Sequence, residues 1–99
     1  MNFEITHTTD QGKKIVLVPV SNMKTKAKLL ERDYDELEHL GIGVPWKYNL
    51  GQVLVRNNNR DLSVSRIILD AGKGEKVTTI DGDPANLLRD NLMRIPGSS

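Results

Sequence analysis

The most informative stretch of the chain reads Val77-Thr78-Thr79-Ile80-Asp81-Gly82-Asp83, and Asn91-Leu92 follow it. Asp81-Gly82-Asp83 has the opening of a calcium-binding loop, but Leu92 occupies the twelfth position, where such a loop needs a bidentate Glu. We therefore expect a plain turn here. The two threonines before this turn have no pKa near neutrality, and their hydroxyls bind hard metal ions less well than carboxylates do. The stretch thus predicts a turn preceded by positions that hold neither a base nor a strong metal ligand.

Three further blocks of the chain help to classify it. They read Leu30-Glu31-Arg32-Asp33-Tyr34-Asp35-Glu36-Leu37, then Trp46 ahead of a predicted hairpin, then Val64-Ser65-Arg66-Ile67-Ile68-Leu69. In order and spacing, these blocks and the stretch at 77–83 resemble the HNH endonucleases of phages and mobile introns. The corresponding runs of that family read V-D-E-E-D-Y-E-x-L, H-R-L-I-L and V-D-H-I-N-G-D, followed by N-L-R. Each block alone is a weak signal, so the argument rests on their order.

The resemblance implies a fold and a set of site positions. The fold would be a small α+β domain of antiparallel β hairpins with one or two short helices, similar to a truncated HNH (ββα-metal) domain that lacks its last helix. It would occupy residues 1–99 as a single domain. Thr78 stands where the family has a metal-binding Asp, Thr79 where it has the His that acts as general base, and Asn91 where it has the Asn that orients this His. Because that His is absent, we expect the amide of Asn91 to bridge the turn at 81–83 instead.

The chemistry of the family would be lost on these positions. A threonine cannot replace the imidazole as base, and the family's second metal ligand comes from a closing helix after N-L-R. Only eight residues follow Asn91, and they include Pro96-Gly97-Ser98-Ser99, which breaks a helix. We therefore expect no catalytic residue, no cofactor and no metal site, with Asp81 and Asp83 as weak candidates for attracting a cation.

Composition agrees with a small module. A chain of 99 residues is large enough to bury roughly two-thirds of its unfolded surface, and it contains no Cys, which excludes disulfides and thiolate zinc sites. No apolar run approaches the ~20 residues of a membrane span, and Met1-Asn2-Phe3-Glu4 lacks the features of a signal peptide. We expect a cytoplasmic protein, which means the host cytoplasm if a phage encodes it.

Charge is balanced overall but segregated along the chain. The chain has 14 basic and 13 acidic residues, a net charge of +1, which is a weak electrostatic footprint for a DNA-binding protein. Lys24, Lys26 and Lys28 alternate, so an extended backbone would place them on one face, either as a row that meets phosphates or as a solvated edge strand. An acidic cluster of five residues follows within the segment 31–38.

Local patterns predict the secondary structure. Residues 14–20 are rich in β-formers, and Pro19 places this strand at an edge or an end. Asp33 as N-cap, Glu36 as its capping-box partner and Gly41 as stop predict a helix over 33–41. Further expectations are a hairpin of strands 46–57 and 61–64 around the turn at 57–60, a helical turn or strand at 65–70, a loop at 71–74, and a buried Trp46.

Two classes of function follow from these observations. The first is a non-catalytic binding protein derived from an HNH nuclease, most simply a phage or mobile-element inhibitor of a host nucleic-acid-handling defence protein of the restriction or CRISPR type. The second is a DNA-binding accessory or regulatory protein, and a third, weaker alternative is a metal-dependent nuclease completed by another chain. The candidate protein-binding face consists of Glu31, Asp35, Glu36 and Glu38. The candidate nucleic-acid contacts are Lys24, Lys26, Lys28, Arg56, Arg60, Lys73, Lys76, Arg89 and Arg94.

Overall fold

A computed structural model describes residues 4–96 of the chain. They form three antiparallel sheets and two helices, which confirms the expected small α+β architecture. The elements are β1 Thr6–Asp10, β2 Lys13–Val18, β3 Ala27–Leu30, α1 Glu31–His39, β4 Trp46–Asn49, β5 Gln52–Asn57, β6 Arg60–Ser63, α2 Val64–Ile68, β7 Lys76–Thr79 and β8 Leu92–Ile95, with a 3-10 turn at Arg89–Asn91 before β8. The sheets have the orders β1-β2-β3, β4-β5-β6 and β7-β8. The expectations for residues 1–3 and for the helix-breaking tail at 97–99 lie outside the described part.

The first sheet confirms one of the two positions predicted for Pro19. β2 ends directly before Pro19, as a strand end should, and it is the central strand of its sheet, so the edge alternative does not apply. The chain's first strand is β1, whose exposed Thr-His-Thr-Thr sequence shows no apolar alternation to reveal it. The turn that joins β1 to β2 contains Gln11 and Gly12, both with positive φ, which suits a tight hairpin.

Helix α1 begins two residues earlier than predicted. Its N-cap is Leu30, which makes no side-chain capping bond, and the prediction of Asp33 as N-cap is wrong. Asp33 lies inside the helix with its side chain buried, because Arg89 provides a charged partner there. The predicted stop is confirmed: Gly41 has φ +79°, and the backbone N–H of Ile42 donates to the carbonyl of Leu37 at 2.9 Å.

The second sheet contains one turn more than predicted. Residues 46–57 are not a single strand, because a turn at Leu50 and Gly51 separates β4 from β5. The predicted hairpin turn is confirmed between β5 and β6, where Asn58 and Asn59 have φ of 52° and 64°. After β6 the chain takes the helical alternative as α2, and residues 71–74 form the predicted loop.

The core joins all three sheets to α1. Trp46 is fully buried, as predicted, and its ring centroid lies 6.3 Å from that of Tyr34 at a tilt of 48°. The pair belongs to one buried core cluster, which also contains the aliphatic side chains of Val16, Leu29 and Leu37. No helix within residues 4–96 has the length and apolarity needed to cross a membrane.

Two outer sheet edges are closed by neighbouring segments. Along β4, the side-chain amide of Asn22 donates to the carbonyl of Tyr48 and accepts from its N–H, both at 2.6 Å, as a neighbouring strand would. Along β3, the backbone N–H of Lys28 donates to the carbonyl of Ala85, and the backbone carbonyl of Lys28 accepts from the N–H of Leu87, both at 2.7 Å. These bonds satisfy edge groups that would otherwise be open to pairing with other chains.

Candidate functional site

The two threonines of the candidate site lie on β7 and point to opposite faces of its sheet. Thr78 is exposed and stands opposite Met93, whereas Thr79 is half-buried and stands opposite Leu92. Alternation along a strand separates neighbouring side chains in this way. Their hydroxyls therefore cannot act together on one bound group, and neither provides a proton acceptor near neutral pH.

The loop at 81–86 is held by hydrogen bonds to carboxylates. Asp81 Oδ1 accepts from the backbone N–H of Asp83 at 2.8 Å and from Asn91 Nδ2 at 2.9 Å, and Asp81 Oδ2 accepts from Asn86 Nδ2 at 3.0 Å. These donors, first the backbone N–H of Asp83, hold the pKa of Asp81 below its ordinary value. Asp83 accepts in turn from the backbone N–H of Ala85 at 3.0 Å. The carboxylates of Asp81 and Asp83, the two weak candidates for attracting a cation, thus accept hydrogen bonds within their own loop.

Asn91 bridges this loop as the sequence predicts. Its Oδ1 accepts from the backbone N–H of Asp81 at 3.1 Å, and its Nδ2 also donates to the carbonyl of Asn86 at 3.0 Å. The amide therefore fixes the loop between β7 and β8. Within residues 4–96, no group of three or more His, Asp or Glu side chains is arranged to hold a metal ion.

A slot of about 410 Å³ lies beside β7. It is lined by all four residues of β7, by the β4–β5 turn, by the start of β5, by Ser65 and Arg66 of α2, and by Pro84 and Leu87. Only Ile95 represents β8. Arg66 and Lys76 are the charged residues among its lining. Sequence reasoning missed β8, because Leu92-Met93-Arg94-Ile95 has three exposed side chains and no clear alternation.

The lysines at 24, 26 and 28 do not form a row. Only Lys28 lies in β3, and Lys24 is in a bend, so the predicted common strand face is wrong. Lys28 Nζ lies 3.8 Å from Asp10, and Lys26 Nζ donates to the hydroxyl of Thr6 at 3.4 Å. The bend lies between Val20, which is bridged to Trp46, and the start of β3.

Three candidate arginines are also occupied by groups of the protein itself. Arg56 Nη1 lies 3.8 Å from Asp61, and Arg94 Nε lies 3.9 Å from Glu75 while its Nη2 donates to the carbonyl of Leu69. Arg89 is bound to Asp33. Among the described residues, the candidate cations without an ion pair to a carboxylate or a side-chain hydrogen bond are Lys24, Arg60, Lys73 and Lys76.

The acidic residues of α1 divide into one buried and four outer carboxylates. The buried one is Asp33, which therefore does not belong to the acidic surface. Asp35, Glu36 and Glu38 are exposed and make no ion pair within residues 4–96, and Glu31 lies 3.3 Å from the ring of His7. Burial raises the pKa of Tyr34, and the negative charges of Glu38 and Asp35 raise it further. The outer side of α1 is thus a negative surface.

The pair of Asp33 and Arg89 connects α1 to the segment before β8. Arg89 Nε donates to both oxygens of Asp33, at 3.0 and 3.1 Å, and Arg89 Nη2 donates to the carbonyl of Ile68 at 3.0 Å. This hydrogen bonding raises the pKa of Arg89. The two residues lie at the wall of a groove of about 830 Å³ between α1 and α2. No feature of the sequence around Arg89 predicts this pairing.

Comparison of the chain with protein-family models, with curated proteins and with solved structures gives no match. Only the sequence blocks at 30–37, 46, 64–69 and 77–83 support the resemblance to HNH endonucleases.

Proposed function

We propose that this chain is a non-catalytic binding protein derived from an HNH nuclease. In this proposal it is an inhibitor encoded by a phage or mobile element, and it acts in the host cytoplasm on a nucleic-acid-handling defence protein of the restriction or CRISPR type. The binding surface is the outer side of α1, with Glu31, Asp35, Glu36 and Glu38. Proteins that handle nucleic acids expose basic grooves, to which a compact acidic surface is complementary.

One observation supports a protein partner over DNA. Three of the four carboxylates of this surface, those of Asp35, Glu36 and Glu38, lack cationic partners among the described residues, and Glu31 lies beside His7. By contrast, five of the nine candidate nucleic-acid contacts are bound to oxygen atoms of the protein. A phosphate ligand would have to compete with those internal partners. Negative charge is therefore the more available feature of this surface.

The DNA-binding alternative depends on the four remaining cations. These cations lie on separate segments: Lys24 in the bend before β3, Arg60 at the start of β6, Lys73 in the loop after α2 and Lys76 at the start of β7. If they bind DNA, the logarithm of the binding constant will fall by close to one unit per phosphate contact for each unit of log salt. Binding that persists at high salt would favour the protein partner.

The proposal also predicts that restoring two site residues restores no activity. The variant Thr78→Asp/Thr79→His would regain the family's base and one ligand, but β8 occupies the place after Asn91 where the family has its closing helix. We expect no magnesium-dependent cleavage of plasmid DNA. Cleavage by this variant would contradict the assignment and would favour the third alternative, in which Asp81 and Asp83 contribute to a metal site completed by a second chain.

An affinity capture from host lysate with charge-reversal variants tests the main proposal. The tagged wild type is compared with Asp35→Lys/Glu38→Lys and with the matched control Lys24→Glu/Lys73→Glu, each with and without nuclease treatment. We expect a stoichiometric protein that survives nuclease treatment, is lost with the first variant and is retained with the control. Loss with the control instead, or retention of nucleic acid alone, would support the DNA-binding function.

A further inference from the structure

The outer edge of β7 presents backbone groups that have no hydrogen-bond partner within residues 4–96. In antiparallel pairing, hydrogen-bonded and non-bonded residue pairs alternate along the strands. The N–H of Ile80 donates to the carbonyl of Asn91 at 2.7 Å, so Ile80, Thr78 and Lys76 direct their backbone groups toward β8. Val77 and Thr79 must therefore direct their N–H and C=O groups away from β8. Neither has another hydrogen bond to these groups among the described residues.

This open edge contrasts with the outer edges of β3 and β4. Residues 85–87 close β3, and the side chain of Asn22 closes β4. Proteins commonly cover or charge such edges, because an uncovered edge pairs with other extended chains. β7 has a single charged residue, Lys76, at its first position.

The slot of about 410 Å³ adjoins the open edge. All four β7 residues line it, but β8 contributes only Ile95, so the slot lies on the side of β7 that faces away from β8. Two exposed apolar side chains flank it, Leu50 with 90% of its surface exposed and Ile95 with 40%. The slot thus joins unpaired backbone groups to apolar surface, the combination that strand addition uses.

The charges of the slot specify what can occupy it. Its lining contains Arg66 and Lys76 and no carboxylate, although the chain as a whole is nearly neutral. Arg66 Nη2 donates to the carbonyl of Gly72 at 2.8 Å, and Lys76 makes no ion pair within the described residues. A carboxylate is the strongest acceptor for such cationic donors.

We propose that the open edge of β7 binds an extended, acidic segment of a partner polypeptide as an added strand. The segment pairs with the backbone groups of Val77 and Thr79, directs a carboxylate to Arg66 and Lys76, and places apolar side chains against Leu50 and Ile95. This site is separate from the acidic side of α1 and does not depend on the function proposed for that surface.

A designed peptide probes this site without knowledge of the natural partner. The probe is acetyl-Asp-Asp-Val-Thr-Val-Thr-Val-Asp-Asp-amide with a fluorophore, and its control carries Lys at every Asp position. By fluorescence anisotropy, we expect the acidic peptide to bind about tenfold more tightly than the basic one. In amide exchange measurements, bound peptide should slow the exchange of Val77 and Thr79 and leave that of Thr78, already bonded to β8, unchanged.

Variants of the full chain locate the binding. Thr79→Pro removes an outward N–H and should abolish binding, whereas Met93→Leu, on β8 outside the slot, should retain it. Lys76→Glu, which alters only an exposed charge, should weaken binding of the acidic peptide about tenfold and tests the same site if the proline variant does not fold. The variant Asp35→Lys/Glu38→Lys should bind the peptide as the wild type does.

Two results would overturn the proposal. Equal affinity for the acidic and basic peptides, or binding that leaves the exchange of Val77 and Thr79 unchanged, would exclude an acidic strand at this edge. Protection of these two amides that increases with protein concentration in the absence of peptide would assign the edge to a second copy of this chain instead.

Discussion

Replacing Arg89 by alanine is expected to destabilise the fold more than replacing Asp33, its partner. Asp33 has 4% of its side chain exposed and Arg89 has 42%. Arg89→Ala leaves a buried carboxylate unpaired, which costs about 3 kcal/mol, the lower end of the range for buried pairs because the guanidinium is half-exposed. Asp33→Ala leaves a guanidinium that still reaches water and the carbonyl of Ile68, so its cost is about 1 kcal/mol.

Urea unfolding measures these differences. Trp46 is the only tryptophan and is fully buried, so its fluorescence reports the loss of the core. The double variant Asp33→Ala/Arg89→Ala should be at least as stable as Arg89→Ala alone, because no unpaired carboxylate remains. Arg56→Ala is the matched control. Because Arg56 is 63% exposed, its replacement should lower the free energy of unfolding by about 0.5 kcal/mol or less. A cost below about 1 kcal/mol for Arg89→Ala would refute the buried pair.

Three further predictions follow from other contacts. Asn22→Ala removes two 2.6 Å hydrogen bonds at the edge of β4 and should lower the free energy of unfolding in urea by about 1–2 kcal/mol. The control Lys24→Ala should leave it unchanged, and equal stability of the two variants would exclude this role of Asn22. The pKa of Asp81 in the folded protein lies below its ordinary 3.8, so ionised Asp81 stabilises the fold above pH 3.8, and this stabilisation is lost as the pH falls through the lower folded pKa. Asp81→Asn should therefore reduce the fall in the free energy of unfolding at acid pH, and an unchanged pH dependence would contradict the prediction. Leu50→Asn should raise stability by about 1 kcal/mol, because Leu50 holds φ 51° in a turn that favours Asn, and lower stability would show that its side chain packs on the protein.

The features that the sequence predicts correctly depend on chemistry within a few residues. The hairpin between β5 and β6 follows from Asn58 and Asn59, which tolerate positive φ, and the end of α1 follows from Gly41. The role of Asn91 follows from its proximity to the Asp81 turn. Each of these signals is local, so the rest of the fold has little influence on it.

The features that the sequence does not predict depend on distant partners. Asp33 has the residue type and position of an N-cap, but an arginine 56 residues later binds it inside the helix. Which lysines and arginines are free also depends on ion pairs formed by folding. For the candidate site, the sequence identifies the turn and its Asn, whereas the open edge of β7 requires the pairing register with β8. The HNH ancestry remains a prediction.

The distance along the chain between Asp33 and Arg89 has a consequence during synthesis. The two residues are 56 positions apart, and the segment 85–87 that closes β3 comes just before Arg89. At about 5–20 residues per second, a ribosome takes about 3 to 11 seconds to make the residues between them. During that interval the nascent chain has an unpaired carboxylate on α1 and an uncovered strand at β3. Chaperones and proteases of the cell therefore meet this protein first with the Asp33 carboxylate and the edge of β3 uncovered, whereas the finished fold covers both.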